Sequence, residues 1–149
     1  MNFNAEGFFE PFTAIETDLA SAKDILVWNE ARNEIWDNFE IFLRELQGIL
    51  QSSFTIWLNG SFATKKEIPN DLDLVVFIDF QEYLANEKDL AKFKTLSYRK
   101  IQKLDVYFVK VYPEIHERKL FEEFDTKEWF SLFTKTRNKE KKGFLELKF

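Results

Sequence analysis

The chain contains no cysteine. That excludes disulfides and thiolate metal sites, and it fits a reducing cytoplasm, the expected location. A single histidine, His116, leaves too few imidazoles for a His-based zinc site and argues against a Ser-His-Asp triad; it is assigned no role. Met1-Asn2-Phe3 lacks the basic-then-apolar build of a signal peptide, and no apolar run approaches the roughly 20 residues that span a bilayer. No repeat, low-complexity tract or linker divides the sequence. The net charge of −5 argues against broad nucleic-acid coating, which needs many phosphate-neutralising cations. No base-reading motif is recognisable.

What is present describes an ordered domain. At 149 residues the chain suits one domain, 1–149, with a real core. A hydrophobic content of 45%, with eighteen Phe and four Trp, argues against disorder. Charge is uneven: residues 1–50 hold ten acids against three bases. The segment KTRNKEKK sets Lys135, Arg137, Lys139, Lys141 and Lys142 against Glu140 alone. Such a run is commonly a solvated face; the alternative is a basic lip beside an active site.

Residues 1–25 carry Phe3, Phe8, Phe9 and Phe12 around Gly7 and Pro11, and read as an irregular arm packed on the body. From Trp28 to Leu50, apolar residues recur at three- and four-residue steps. Trp28, Ala31, Ile35, Phe39, Phe42, Leu43, Leu46, Ile49 and Leu50 predict one buried helical stripe, with Arg32, Glu34 and Arg44 turned away. A strand is expected over Phe54–Asn59 and another over Leu72–Asp79. Gln81–Tyr98 reads as one helix with Tyr83, Leu84, Leu90, Phe93 and Leu96 inward. Lys103–Tyr112 reads as a third strand, with Asp105, Tyr107, Val109 and Val111 on one side and Pro113 stopping it. Asp125 and Glu128 form a capping box for a further helix with Trp129, Phe130 and Phe133 inward. After Gly143, FLELKF alternates as an edge strand.

The chemistry gathers between Thr55 and Phe80, TIWLNGSFATKKEIPNDLDLVVFIDF. Alternation on the second strand puts Asp71 and Asp73 on one face and Leu72, Leu74, Val76 and Ile78 on the other. Two adjacent carboxylates repel and are costly to desolvate unless a cation neutralises them. Aspartate is also disfavoured in strands, so a pair ahead of LVVFID needs a reason. The bland reading makes Asp71 a turn cap and Asp73 a solvent-facing residue. A hard cation such as Mg²⁺, shared with substrate phosphates, supplies a better one. Gly60 lets backbone approach a ligand, Ser61 brings a hydroxyl, and a short helix opened by Phe62 would aim free N–H groups at an anion. Lys65 and Lys66 stand ready to offset phosphate charge. Asp79 shares the acid face but lies about 20 Å from Asp73 at roughly 3.3 Å per residue, too far to join it. Tyr107 and Phe77 are expected in packing.

Gly60-Ser61, nine intervening residues and Asp71-Leu72-Asp73-Leu74 resemble the signature of the DNA polymerase β-like nucleotidyltransferase superfamily. GSFATKKEIPNDLDL is most similar to the small bacterial minimal nucleotidyltransferase group, which includes antitoxins that adenylylate a partner protein. The match covers about twenty residues. Thr64-Lys65 stand where that group usually has Arg-Gly, which touches the substrate contacts and not the acid pair. The resemblance implies an α+β fold, a nucleotidyltransferase-like mixed β-sheet flanked by α-helices. It implies that Asp71 and Asp73 bind two Mg²⁺ ions, while Asp105, in Lys-Leu-Asp-Val-Tyr-Phe, is the third carboxylate, ligating the catalytic ion and helping to deprotonate an attacking hydroxyl. Gly60, Ser61 and Lys65 become the substrate contacts. The implied activity transfers a nucleoside monophosphate, AMP from ATP, to a hydroxyl of a protein, RNA or small molecule. The alternative is an inactive member of the fold that holds a nucleotide or a partner protein.

Overall fold

Alternation in LDLVVFID is realised as a strand buried on both faces, beside the middle strand of a five-stranded mixed sheet. The computed structural model describes all residues, Met1–Phe149. In chain order the elements are β1 (Asn2–Phe3), β2 (Phe9–Glu10), β3 (Ala14–Glu16), α1 (Leu19–Leu26), α2 (Glu30–Ile49), β4 (Thr55–Asn59), β5 (Leu72–Asp79), α3 (Phe80–Ala85), α4 (Glu87–Ala91), α5 (Leu96–Gln102), β6 (Leu104–Val111), α6 (Lys119–Phe133) and β7 (Phe144–Lys148). Short 3₁₀ turns occupy Ser61–Ala63 and Lys92–Lys94. The sheet order is β3-β7-β4-β5-β6. β4 runs antiparallel to β5 and β7, while β5 and β6 are parallel, as are β3 and β7. The fold is α+β and single-domain, and no helix is long and apolar enough to cross a membrane.

Period two divides the side chains between two cores. Leu72, Leu74, Val76 and Ile78 join Ile56, Leu58, Leu104, Val106, Leu145 and Leu147 in the larger one. Helix α2 covers that face with Ile35, Trp36, Phe39, Phe42, Leu43 and Leu46. The opposite face carries Trp57, Val75, Val109 and Phe144 beneath Phe133 of α6. Coverage on both sides is why Val75 and Val76 are both buried and the strand reads as nearly continuous apolar residues.

Several expectations need correction. The helix expected over 81–98 is broken into short pieces, because Asn86 and Thr95 interrupt it. Thr95 Oγ1 accepts from the Tyr98 N–H at 3.0 Å and restarts the chain as α5. Tyr83, Leu90 and Phe93 are buried, but Leu84 and Leu96 are 55% and 64% exposed. Asp125 is not an N-cap: α6 begins six residues earlier, where Glu122 accepts from the Tyr112 N–H at 2.6 Å and from Lys119 Nζ at 3.0 Å. Phe133 is buried there, while Phe130 remains 37% exposed. FLELKF is not an edge either, since β7 pairs on both sides. The edge strand on that side is β3, and it comes from the arm expected to be irregular. Phe9 is fully buried, and the Gly143 N–H donates to its carbonyl at 2.8 Å, sewing the arm to the start of β7.

The largest departure is Arg32. Expected on the solvent side of α2, it has no exposed surface. Its Nη1 donates to the carbonyls of Leu26 and Phe62 at 2.8 Å each. Nη2 donates to Thr64 at 2.5 Å and Lys66 at 2.7 Å, and Nε to Lys66 at 3.1 Å. The guanidinium lies 3.6 Å from the centre of the Trp28 ring. Asn29, the N-cap of α2, also donates to the Glu67 carbonyl at 2.7 Å. The first turn of α2 thus clamps the loop between β4 and β5 by its backbone. A carbonyl cage meets the hydrogen bonds of a guanidinium without a carboxylate, and hydropathy patterns cannot show that.

Candidate active site

Strand register assembles the site. Asn59 pairs with Asp73 across β4 and β5, and Asp73 pairs with Asp105 across β5 and β6. One polar row therefore crosses three strands on the face opposite the larger core. Asp71 stands two residues before Asp73, and each of the three acids places a carboxylate oxygen within 4.8 Å of the others. The acids expected from sequence do come together. Asp79 does not join them; it caps α3, accepting from the Gln81 and Glu82 N–H groups.

Gly60 explains how a carboxylate fits so close to the turn. Its φ is +79° and its ψ −165°, a region that only glycine adopts readily. A Cβ there would lie 2.6 Å from Asp73 Oδ2. Gly60→Ala is therefore expected to push the Asp73 carboxylate aside, cost about 1–3 kcal/mol and weaken Mn²⁺ binding at least about tenfold. Thermal unfolding and electron paramagnetic resonance of free Mn²⁺ check both, and unchanged Mn²⁺ affinity would refute the close approach. The helix expected to open at Phe62 is a single 3₁₀ turn with Phe62 and Ala63 buried, so the corner offers Ser61 and a glycine but no helix end.

Asp73 is held up at a pKa of about 6, first by burial, then by repulsion from Asp71 and Asp105. Lys142 is 5% exposed, and burial pulls its ammonium down to about 8 although Asp73 draws it up. Arg99, on α5, bridges two of the acids: Nη2 lies 3.2 Å from Asp71 Oδ2 and Nη1 3.3 Å from Asp105 Oδ2. The Tyr107 hydroxyl donates to Asp105 Oδ2 at 3.0 Å. Asn59 is 3% exposed; its Nδ2 donates to the Phe133 carbonyl at 3.2 Å, while its Oδ1 is buried without a partner. An orphaned buried oxygen is rare and calls for a ligand or an ordered water.

These groups line a cleft of about 600 Å³, within the range of small-molecule sites. Gly60, Ser61, Lys66 and Asn70 form one wall and Trp129 and Leu132 of α6 another. Lys135, Arg137 and Lys142 form a lip, so the basic run is part cleft and part solvated face, with Lys139 and Lys141 outside the lining. Lys65, expected at the substrate, is also outside it. Its N–H donates to the Gly7 carbonyl at 2.9 Å and its ammonium lies 5.8 Å from the Phe3 ring centre, so the amino-terminal arm holds it away. Lys66 lines the cleft instead. Phe77 packs on Trp57, and Tyr107 on Trp129. His116 stacks with Phe80 and Tyr112, away from the acids.

Asn59, Arg99 and Lys142 were not foreseen. A polar residue ending the apolar strand TIWLN was a faint signal for Asn59. Nothing set Lys142 apart in its run, and Arg99 reaches the acids only through the placement of α5.

The donor set fits a hard cation: three carboxylates, with no nitrogen or sulfur ligand among them. Fold and cleft define a single-domain α+β protein with a three-carboxylate centre on a sheet face. The chain belongs to the DUF6932 family, a family of unknown function, whose model matches residues 1–148. No curated protein and no solved structure matches it.

Proposed function

We propose that this chain is an Mg²⁺-dependent nucleotidyltransferase that moves a nucleoside monophosphate, AMP from ATP, onto a hydroxyl of a protein, RNA or small molecule. The observation that carries the reading is the row Asn59, Asp73, Asp105 with Asp71 beside it, set against the Gly60–Ser61 corner at the head of a cleft with a basic lip. The mixed sheet and the resemblance around Gly60-Ser61 and Asp71-Leu72-Asp73-Leu74 support it. Asp71, Asp73 and Asp105 would hold Mg²⁺, which supplies neutralisation of phosphate charge and activation of a hydroxyl nucleophile.

The residues of the chain divide the remaining work. Ser61 and Lys66 bind the triphosphate, and Lys135, Arg137 and Lys142 draw it in and offset the charge of departing pyrophosphate. The acceptor oxygen forms a bond to the α-phosphorus, and the bond from that phosphorus to the α–β bridging oxygen breaks. Pyrophosphate leaves with the electron pair, and the hydroxyl proton passes to the Asp105 carboxylate, whose Oδ2 accepts from Tyr107. Tyr107, bonded to the same oxygen, orients that carboxylate. Trp129 and Leu132 restrict water on the α6 side.

A second reading is an inactive member of the fold that binds a nucleotide or a partner protein. Arg99 lying across two acids and Thr64-Lys65 in place of Arg-Gly favour it. Under either reading a protein partner is supported by the exposed apolar side chains of α6: Leu120, Phe121, Phe124 and Leu132 are 61–74% exposed. Incubation with the four α-labelled nucleoside triphosphates, Mg²⁺ and cell lysate separates the readings. Label from ATP on a discrete protein or RNA, absent with Asp73→Asn, is expected. Metal-dependent nucleotide binding without transfer would favour the second reading; no nucleotide binding would end both.

A further inference from the structure

Arg99 is the one cation bonded to the acids, and its place is unusual for a group meant to stay there. Its contacts fall on Asp71 Oδ2 and Asp105 Oδ2, oxygens of the very carboxylates that a divalent ion needs. A guanidinium and a dication cannot share those oxygens without strong repulsion at short range. Nor is Arg99 fixed by packing. Helix α5 has no fully buried residue, and the Arg99 side chain is 47% exposed. Asp73 is left to the Gly60 corner and Lys142.

The side chain also has somewhere to go. A second groove of about 480 Å³ adjoins the cleft on the far side of Asp105. Arg99, Asp105, Tyr107 and Trp129 line both spaces, so open room borders the guanidinium in both. Asn59 Oδ1, at the register position beside Asp73, is a buried acceptor with no partner.

We infer that Arg99 is a built-in counter-ion: it neutralises Asp71 and Asp105 in the free protein and moves to the nucleotide phosphates when a divalent ion takes those carboxylates. The inference rests on the metal-and-nucleotide reading above. Charge supports the exchange. Three carboxylates without metal need cations close by, whereas a triphosphate brings more negative charge than the ion offsets, and a planar guanidinium binds phosphate bidentately. One residue thereby serves two states, opposing metal alone and favouring metal with nucleotide.

The test is a pair of affinities that move in opposite directions. Mn²⁺ binding to the full chain is followed by electron paramagnetic resonance, and α,β-methylene-ATP binding at saturating Mn²⁺ by calorimetry. Arg99→Met is expected to bind Mn²⁺ about tenfold more tightly, the order expected from releasing two half-exposed ion pairs. The same variant is expected to bind α,β-methylene-ATP about tenfold more weakly. Arg99→Lys, which keeps the charge and loses the fork, should fall between. A merely structural role would weaken both together. Unchanged or weaker Mn²⁺ binding in Arg99→Met, or unchanged nucleotide affinity, overturns the inference. Asp73→Asn run alongside keeps the two levels apart: wild-type Mn²⁺ affinity in that variant refutes the metal site itself.

Discussion

Arg32→Met is expected to lower the melting temperature by about 5 °C or more. Methionine fills similar space but donates nothing, so the carbonyls of Leu26, Phe62, Thr64 and Lys66 lose their partner. Each buried carbonyl left unsatisfied costs about 1–3 kcal/mol, or about 2–6 kcal/mol for those of Leu26 and Phe62, while the part-buried carbonyls of Thr64 and Lys66 cost less because water reaches them. Against this stands the relief of burying no charge. Burial has pulled the Arg32 guanidinium well below its ordinary value, to about 10, a penalty of about 3 kcal/mol. The lost carbonyl partners, with the lost contact on the Trp28 ring, outweigh that relief by a few kcal/mol against a total stability of about 5–15 kcal/mol. At about 2–4 °C per kcal/mol for a chain of this size, the shift is easily read by thermal unfolding. Arg32→Lys should rescue little, because an ammonium cannot reach four carbonyls in a planar fan. A melting temperature within about 3 °C of wild type in Arg32→Met would refute the clamp. The functional consequence is local: the same carbonyls shape the loop behind Ser61, so any surviving fraction should bind nucleotide poorly.

Asp73→Asn is expected to do the reverse, stabilising the protein while abolishing the metal binding proposed for the three acids. The Asp73 carboxyl titrates near 6 when folded, against an ordinary 3.8. With a raised folded pKa, its contribution favours the native state at pH below about 4 and is lost as pH climbs through about 6. Above that, the ionised carboxylate weighs against folding by roughly 2–3 kcal/mol. In chelator at pH 7.5, Asp73→Asn should therefore melt about 5 °C higher than wild type. Wild type in chelator should also gain stability when pH is lowered from 7.5 to 5.5, and the variant should not gain it from this group. Added Mg²⁺ or Mn²⁺ should raise the wild-type melting point by mass action and leave the variant unmoved. A variant that melts lower in chelator, or still responds to metal, would show that Asp73 is not the strained ligand described here. Sites that hold repelling charges ready for a ligand commonly carry this kind of cost.

Legibility varied with the range of the interaction involved. Period-two alternation in LDLVVFID and the spaced apolar residues of 28–50 report directly on a buried face, so β5 and most of α2 could be read from sequence. Asp71, Asp73 and Gly60 were legible because each violates a local preference: acids in a strand, and a glycine where a strand stops. Asp105 followed from the resemblance and from alternation on β6. By contrast, the break of 81–98 depended on Asn86 and Thr95 outcompeting a helical pattern. The capping box at Asp125 was a false start because the helix was already under way, its first turn held by Glu122 against β6. The arm looked irregular because β3 gains its pairing only from β7, at the other end of the chain.

The sequence by itself determined the α+β class, the two longest-read elements and the acid pair with its glycine corner, because those depend on neighbours within a few residues. Only the tertiary structure decided that Asn59, Asp73 and Asp105 stand in one row, that Lys142 and Arg99 face those acids, that Lys65 is carried off by the arm and that Arg32 is buried. Each of these is a meeting of residues far apart in the chain, set by strand register and helix placement. Residue type alone carries no record of such a partner: a lysine in KTRNKEKK is the same letter whether it faces water or a carboxylate.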